Sequence, residues 1–159
     1  MEDVQQLRTR LRLLEDEGAI LGALHAYGHA IDYGDEEQYL DLWTDDAAFD
    51  ARGRAPGDVT RVVRGREALA DFAARFSRPP EGWHKHLVIE PLIEVDGDVA
   101  SATSYFAVLR DESSQPTLWV FGRYRDTLVR CADGRWRFSL RIAEVESADR
   151  RYRSLAFVR

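Results

Sequence analysis

Apolar residues Leu7, Leu11, Leu14, Ile20, Leu24, Tyr27 and Ile31 recur at intervals of three or four, with one longer step, and this period predicts helix from Leu7 to Ile31. Gly18 sits in the longer step and is expected to break the segment into two helices. From Asp35 to Trp43, Asp35 and Glu36 stand where a helix start favours acids, and Tyr39, Leu40, Leu42 and Trp43 supply a flank to bury, so a short second helix follows. Ala47 to Asp50 and Val59 to Arg64 read as short strands separated by a loop with Gly53, Pro56 and Gly57. Arg66 to Phe76 carries Leu69, Phe72, Ala73 and Phe76 at helical spacing and is expected to end at Pro79 and Pro80.

Beyond the prolines the period changes. Trp83 to Val95, Val99 to Leu109, Thr117 to Cys131 and Arg135 to Glu146 are β-branched and aromatic runs, and Asp96-Gly97-Asp98 and Asp133-Gly134 mark tight hairpins between them. Helices first and a strand meander afterwards give an α+β fold, with the helices on one face of a strongly curved antiparallel sheet. There is no internal repeat and no low-complexity segment.

At 159 residues and 18.2 kDa the chain fits a single domain over 1–159, with 1–6 and 150–159 as tails that are flexible or touch another subunit. The last stretch mixes Arg150, Arg151, Arg153 and Arg159 with Tyr152, Leu155, Phe157 and Val158; it is expected to cover a pocket mouth, pack on a second subunit, or fray in its polar half. A net charge of -6 and a pI near 5.2 argue against nucleic acid or an anionic membrane as partner, since both reward a basic field. The one cysteine, Cys131, can form no internal disulfide and reads as a core or edge residue of a reducing, cytoplasmic compartment. The sheet is expected to present Trp119, Phe121 or Trp136 on an outer face that one helix layer cannot cover, which predicts a homodimer or homotrimer.

Four histidines carry most of the candidate chemistry. His25 and His29 lie one helical turn apart, and His84 and His86 alternate along one face of a strand. Both spacings can seat two imidazoles side by side on a metal, but a zinc site needs the two pairs to converge, and no metal is expected. Leu21, His25, Gly28 and Asp32 form a second stripe bordering the apolar one. Asp32 there reads equally as a functional carboxylate or as a helix-end residue before Gly34. His86 precedes Leu87, Val88 and Ile89, a run apolar on both faces, which predicts a strand covered on both sides and an imidazole that needs a partner.

The order Tyr27 to Asp32, Leu42-Trp43-Thr44-Asp45-Asp46-Ala47, Gly65-Arg66-Glu67-Ala68-Leu69, His86, Ile93 to Ala100, Gly122-Arg123-Tyr124-Arg125-Asp126 and Asp133 to Arg137 resembles the SnoaL-like branch of the nuclear transport factor 2-like superfamily, over nearly the whole chain. The resemblance implies a cone-shaped α+β barrel, its sheet mixed or antiparallel, enclosing a deep pocket. Dehydratases, dehydrohalogenases, ketosteroid isomerases and polyketide cyclases all use that architecture, so the fold leaves the reaction open. Within the superfamily the chain is most similar to the scytalone dehydratase and bile acid dehydratase group, in which a strand histidine pairs with an aspartate at the end of the first helix. His86 and Asp32 occupy those positions and are implied to be catalytic. Tyr27 matches a pocket tyrosine of the bile acid enzymes, and Arg141 matches, more loosely, an arginine of bile acid dehydratase and a dehydrochlorinase. Ile31 stands where scytalone dehydratase has a tyrosine, a departure from the fungal enzyme.

A neutral imidazole takes a proton beside a carbonyl or gives one to a leaving hydroxyl, and a carboxylate on its other nitrogen fixes the tautomer. Tyr27 is expected to donate to a substrate oxygen, Arg141 to stabilise an enolate or bind an anionic group, and Tyr105 and Tyr124 to line the pocket; each has an ordinary reading as core or surface filler. The function expected is a cofactor-free dehydratase or isomerase acting on a small apolar cyclic or aromatic molecule. The alternatives are a polyketide or terpenoid cyclase or epoxide-opening enzyme, and a non-catalytic binding domain or oxygenase small-subunit-like structural domain.

Overall fold

The structure, a computed structural model, describes residues 3–53, 61–112 and 115–147. The chain runs α1 (Val4–Asp32), α2 (Glu36–Leu40), β1 (Trp43–Arg52), β2 (Arg61–Arg64), α3 (Arg66–Ala73), β3 (His84–Asp96), β4 (Val99–Glu112), β5 (Gln115–Arg130) and β6 (Trp136–Val145). The expected loop around Pro56 and Gly57 and the C-terminal tail from Arg150 lie outside the described residues.

α1 is continuous through Gly18 rather than broken there. A lone helical glycine costs about 1 kcal/mol relative to alanine. Asp16 and Ile20, buried on either side of it, anchor the helix enough to offset that cost. The predicted apolar stripe is buried only in its second half: Ile20, Leu24, Tyr27 and Ile31 enter the core, whereas Leu7, Leu11 and Leu14 face solvent. Asp35 caps α2, its side chain accepting from the Gln38 amide at 2.8 Å. The helix then stops at Leu40, because Trp43 is taken up by β1, where it pairs with Phe138. α3 ends at Ala73, before the prolines, as the chain tightens into turns closed by Arg75 N–H to Phe72 and Phe76 N–H to Ala73.

The six strands form one sheet in the order β2-β1-β6-β5-β4-β3. β1 and β6 run parallel and every other pair is antiparallel, so the sheet is mixed. Gly97, at φ 61°, closes the two-residue β3–β4 hairpin in the left-handed conformation such turns require. The sheet curves without closing, with register shifts in β3–β4, β4–β5 and β5–β6, and α1 lies across the open side against β3. The core fills the concave side, built from the buried face of α1, α2, α3 and inward residues such as Phe49, Phe106, Leu128 and Phe138.

Three expectations about the faces need correction. β3 is not covered on both sides: Leu87 and Ile89 are exposed on its convex face while His84 and His86 turn inward. Of the aromatics assigned to an outer face, only Phe121 is there. Trp136 is buried, its indole N–H donating to Asp16 at 3.2 Å, and Trp119 packs against the core beneath the Arg110 guanidinium. Among the described residues no helix is long and apolar enough to cross a membrane.

Candidate functional site

The site is set by how closely α1 approaches β3. A Cβ on Gly28 would stand 2.6 Å from the His86 carbonyl oxygen, so only glycine allows the helix backbone to lie on the strand here. One turn further on, Asp32 reaches the edge of β3. Its Oδ2 accepts the His86 backbone N–H at 2.8 Å, and its Oδ1 lies 2.6 Å from His86 Nδ1. The carboxylate thus supplies the acceptor that a neighbouring strand would give and, with its second oxygen, orients the imidazole. Helix and strand residues 54 positions apart are held by two bonds from one buried side chain.

His84, two residues back on the same face, places Nε2 3.3 Å from the same Asp32 Oδ1, without the alignment of a hydrogen bond. Burial, reinforced by the charge of His86, lowers the His84 pKa below the ordinary histidine value, and Asp32 opposes that shift. Phe76 stands 5.9 Å and 5.7 Å from the two imidazole rings, and Tyr27 meets His86 edge-on at 6.3 Å.

His86, Phe76 and Tyr27 border a partly open apolar cavity, with Asp32 and His84 set behind its wall. Its walls are Tyr27, Phe49 and Ala51, Phe72 and Phe76, His86, Phe106 and Val108, Trp119, Val120 and Tyr124, and Ala143 and Val145. Of these, Tyr27, His86, Trp119 and Tyr124 alone carry polar side-chain atoms, and Tyr124 stacks on Phe106 at 4.3 Å. Burial pushes the Tyr27 hydroxyl up to about 12 against the opposing pull of Arg141, and burial drives Tyr124 well above its usual value as well. Both phenols are therefore donors at neutral pH.

The structure brings together Asp32, His86, Tyr27 and Tyr124 of the residues singled out in the sequence, and separates two others. Tyr105 is 55% exposed on the convex face, because β4 directs Ser104, Phe106 and Val108 inward and the alternation sends Tyr105 out. Arg141 is fully buried but lies behind the cavity wall. Its Nε and Nη2 bond both oxygens of Asp126 at 2.8 and 2.7 Å, and its guanidinium sits 4.1 Å from the Tyr27 and Tyr124 rings. It braces two lining tyrosines, and its Nη1 has no hydrogen-bond partner among the described residues. His84 and Asp126 went unassigned in the sequence. The alternation of His84 with His86 was a signal for the first; nothing in the sequence pairs Asp126 with Arg141.

The two histidine pairs do not converge, since His25 and His29 are exposed on α1 while His84 and His86 face inward. A different set does: Asp32, His84 and His86 offer ligand atoms that lie within 4.8 Å of one another. Two histidines and a carboxylate are a donor set for zinc or iron(II). The 2.6 Å contact between His86 Nδ1 and Asp32 Oδ1 is equally that of a strong hydrogen bond.

The fold has close relatives among solved structures. An NTF2-like protein with a cystatin-like fold from Novosphingobium aromaticivorans superposes with a TM-score of 0.79 at 28% identity, over 98% of this chain and 97% of that one. An Asp-to-Asn variant of Rv3472, a protein of unknown function from Mycobacterium tuberculosis, does so at 0.72 and 30% identity, over 85% and 74%. A protein from Catenulispora acidiphila solved in complex with S-DNPA shares the fold at a TM-score of 0.69 and 24% identity, over 90% and 98%. No curated protein matches significantly. Residues 12–142, most of the chain including both members of the Asp32–His86 pair, match the SnoaL-like domain, and the chain belongs to that family.

Proposed function

We propose that this chain is a cofactor-free lyase or isomerase, in its simplest form a dehydratase, acting on a small, largely apolar cyclic molecule. The observation that carries the reading is the 2.6 Å bond between His86 Nδ1 and Asp32 Oδ1 at the wall of an apolar cavity. With Nδ1 committed to Asp32, Nε2 is the nitrogen left to take a proton from carbon beside a substrate carbonyl. The C–H electrons form the double bond as the β-hydroxyl departs, and the imidazolium returns its proton to that hydroxyl, releasing water. Returning the proton to a different carbon instead gives an isomerase. Asp32 stabilises the imidazolium, and the Tyr27 hydroxyl donates to the substrate oxygen on which charge develops.

The test is turnover of cyclic β-hydroxyketones, read as loss of water by mass and as deuterium uptake from heavy water. His86→Ala and Asp32→Asn should each lower the rate by roughly 10²–10⁴. The double variant should lose little more, because the pair acts as a unit, and His29→Ala should be near silent. Full activity in His86→Ala on an accepted substrate would sink the reading, as would a panel that binds in the cavity and never turns over. Dialysis against a chelator should leave the rate unchanged; stoichiometric zinc or iron in purified protein would replace proton relay by metal chemistry at Asp32, His84 and His86.

A further inference from the structure

The first three turns of α1 project from the body. Every described residue from Asp3 to Glu15 is exposed, a length of about 18 Å of helix. A helix this short is marginal alone in water, yet this one exposes Leu7 at 49%, Leu11 at 57%, Leu14 at 64% and Val4 at 62%. The four stand at alternating steps of three and four, continued by Gly18 and Leu21, which is the a/d pattern of a coiled-coil seam. At 100° per residue this seam lies opposite the face that buries Ile20, Tyr27 and Ile31, and it runs along the outside of the molecule through exposed Gly18. Asp16, at the position pointing away from the seam, is turned into the body and held by Arg130 at 2.6 Å. The body and the seam therefore do not compete for the same side of the helix.

The charges beside the seam single out an occupant. Arg8 and Glu15 fall at e, Arg10 and Glu17 at g. We infer that a second copy of this chain docks antiparallel along the outer face of α1. One register satisfies both the apolar and the charged positions. It packs Leu11 against the partner's Leu14, fits Leu7 over the partner's Gly18, and sets Arg8 beside the partner's Glu15 and Arg10 beside the partner's Glu17. Around Gly18 nothing stands within 4 Å of where a Cβ would be, so the leucine has room. A parallel pair would also match single charges, Asp3 with the partner's Arg8 and Arg10 with the partner's Glu15, but it gathers Arg8, Arg10 and Arg12 of both copies at one end and aligns the two helix dipoles. The antiparallel pair lays basic half on acidic half and opposes the dipoles. The first turn contains no acid, and the basic residues lie toward the N-terminal end, so this charge order does nothing for the stability of the lone helix.

Sedimentation equilibrium on the full chain tests the pairing. The wild type should weigh twice 18.2 kDa at micromolar concentration. Leu11→Glu, at an exposed position that the fold does not need, should raise the dissociation constant by roughly a hundredfold with an unchanged circular dichroism spectrum. Arg8→Glu should raise it roughly tenfold, and Arg8→Glu combined with Glu15→Arg should restore it. A monomer at 100 micromolar overturns the inference, as does a dimer indifferent to Leu11→Glu, which would place the contact elsewhere, for instance on the convex sheet face around Phe121. A double charge variant weaker than either single one overturns the antiparallel register.

Discussion

Arg141 shows what a single position can hide. In the sequence it reads as a strand arginine able to meet an anionic group; in the fold it is enclosed by Tyr27, Tyr124 and Phe138 and neutralised by Asp126. The identity of its partner depends on the β5–β6 register that sets Asp126 across from Arg141, and no periodicity within either strand contains that information. Burial raises the Asp126 pKa against the opposing attraction of Arg141, so the carboxylate is costly to ionise even beside its counter-ion. Breaking such a pair leaves an uncompensated buried charge and costs about 3–5 kcal/mol. Asp126→Asn should accordingly lower the thermal midpoint sharply, while Asp126→Leu with Arg141→Met should recover much of the loss. A melting curve for Asp126→Asn that overlays the wild type would show the pair to be energetically idle. Tyr27, His86 and Asp32 are legible because the resemblance supplies what alternation does not. Tyr105 and Tyr124 read alike as pocket aromatics and only Tyr124 lines the cavity, because an aromatic-rich strand such as β4 does not announce which parity faces inward.

At the level of elements, the four long strands and three helices follow from period and turn residues, and the errors fall at ends and faces. The sequence pattern runs α2 on to Trp43 because an apolar flank looks alike on a helix and on the strand that follows it. The continuity of α1 is not visible in the sequence because the glycine penalty is local, whereas the buried residues that offset it pack on the body of the domain. Glycines in this helix separate into two kinds by what surrounds them. Gly28 touches the β3 backbone at the dyad, and Gly22 is exposed with nothing within 4 Å of a would-be Cβ. Gly28→Ala should force α1 away from His86, costing about 1–3 kcal/mol. It should also slow turnover roughly tenfold or more by displacing Asp32, although neither member of the pair is altered. Gly22→Ala should do the reverse to stability, adding up to about 1 kcal/mol, with turnover unchanged. Urea midpoints of the two variants, measured side by side, decide the matter; equal behaviour would mean that the close approach at Gly28 relaxes without consequence.

For the molecule as a whole, these placements give stability a stepped dependence on pH. His84 has its pKa lowered from 6.5 by burial and by His86, so on acidification the unfolded chain takes up this proton before the folded one does. The stability linked to His84 is complete above pH 6.5 and declines as pH falls below it. Lower down, Asp16 is held below the ordinary carboxylate range by its bonds from Arg130, and Asp133 is held down to about 2 by Arg137. In Asp41 burial pushes upward, but the bonds from Arg137 and Arg135 outweigh it and the pKa is again lowered. For these three the stabilising contribution is present above the unfolded value of 3.8 and is lost as pH falls through the lowered folded values, which for Asp133 is about 2. Asp126, its folded pKa raised by burial, has the opposite sign and flattens the curve just above 3.8, where the folded state gains its proton first. The expected profile of urea midpoint from pH 8 to pH 2 therefore shows an early decline below 6.5, a shallower interval, and a final loss below about 4. His25 and His29 are exposed, and the early decline is assigned to the buried imidazole of His84, so His84→Asn should remove that limb and leave the acid limb in place. A wild-type midpoint that stays level between pH 7 and pH 5, or a His84→Asn variant that keeps the full decline, would remove His84 from the account.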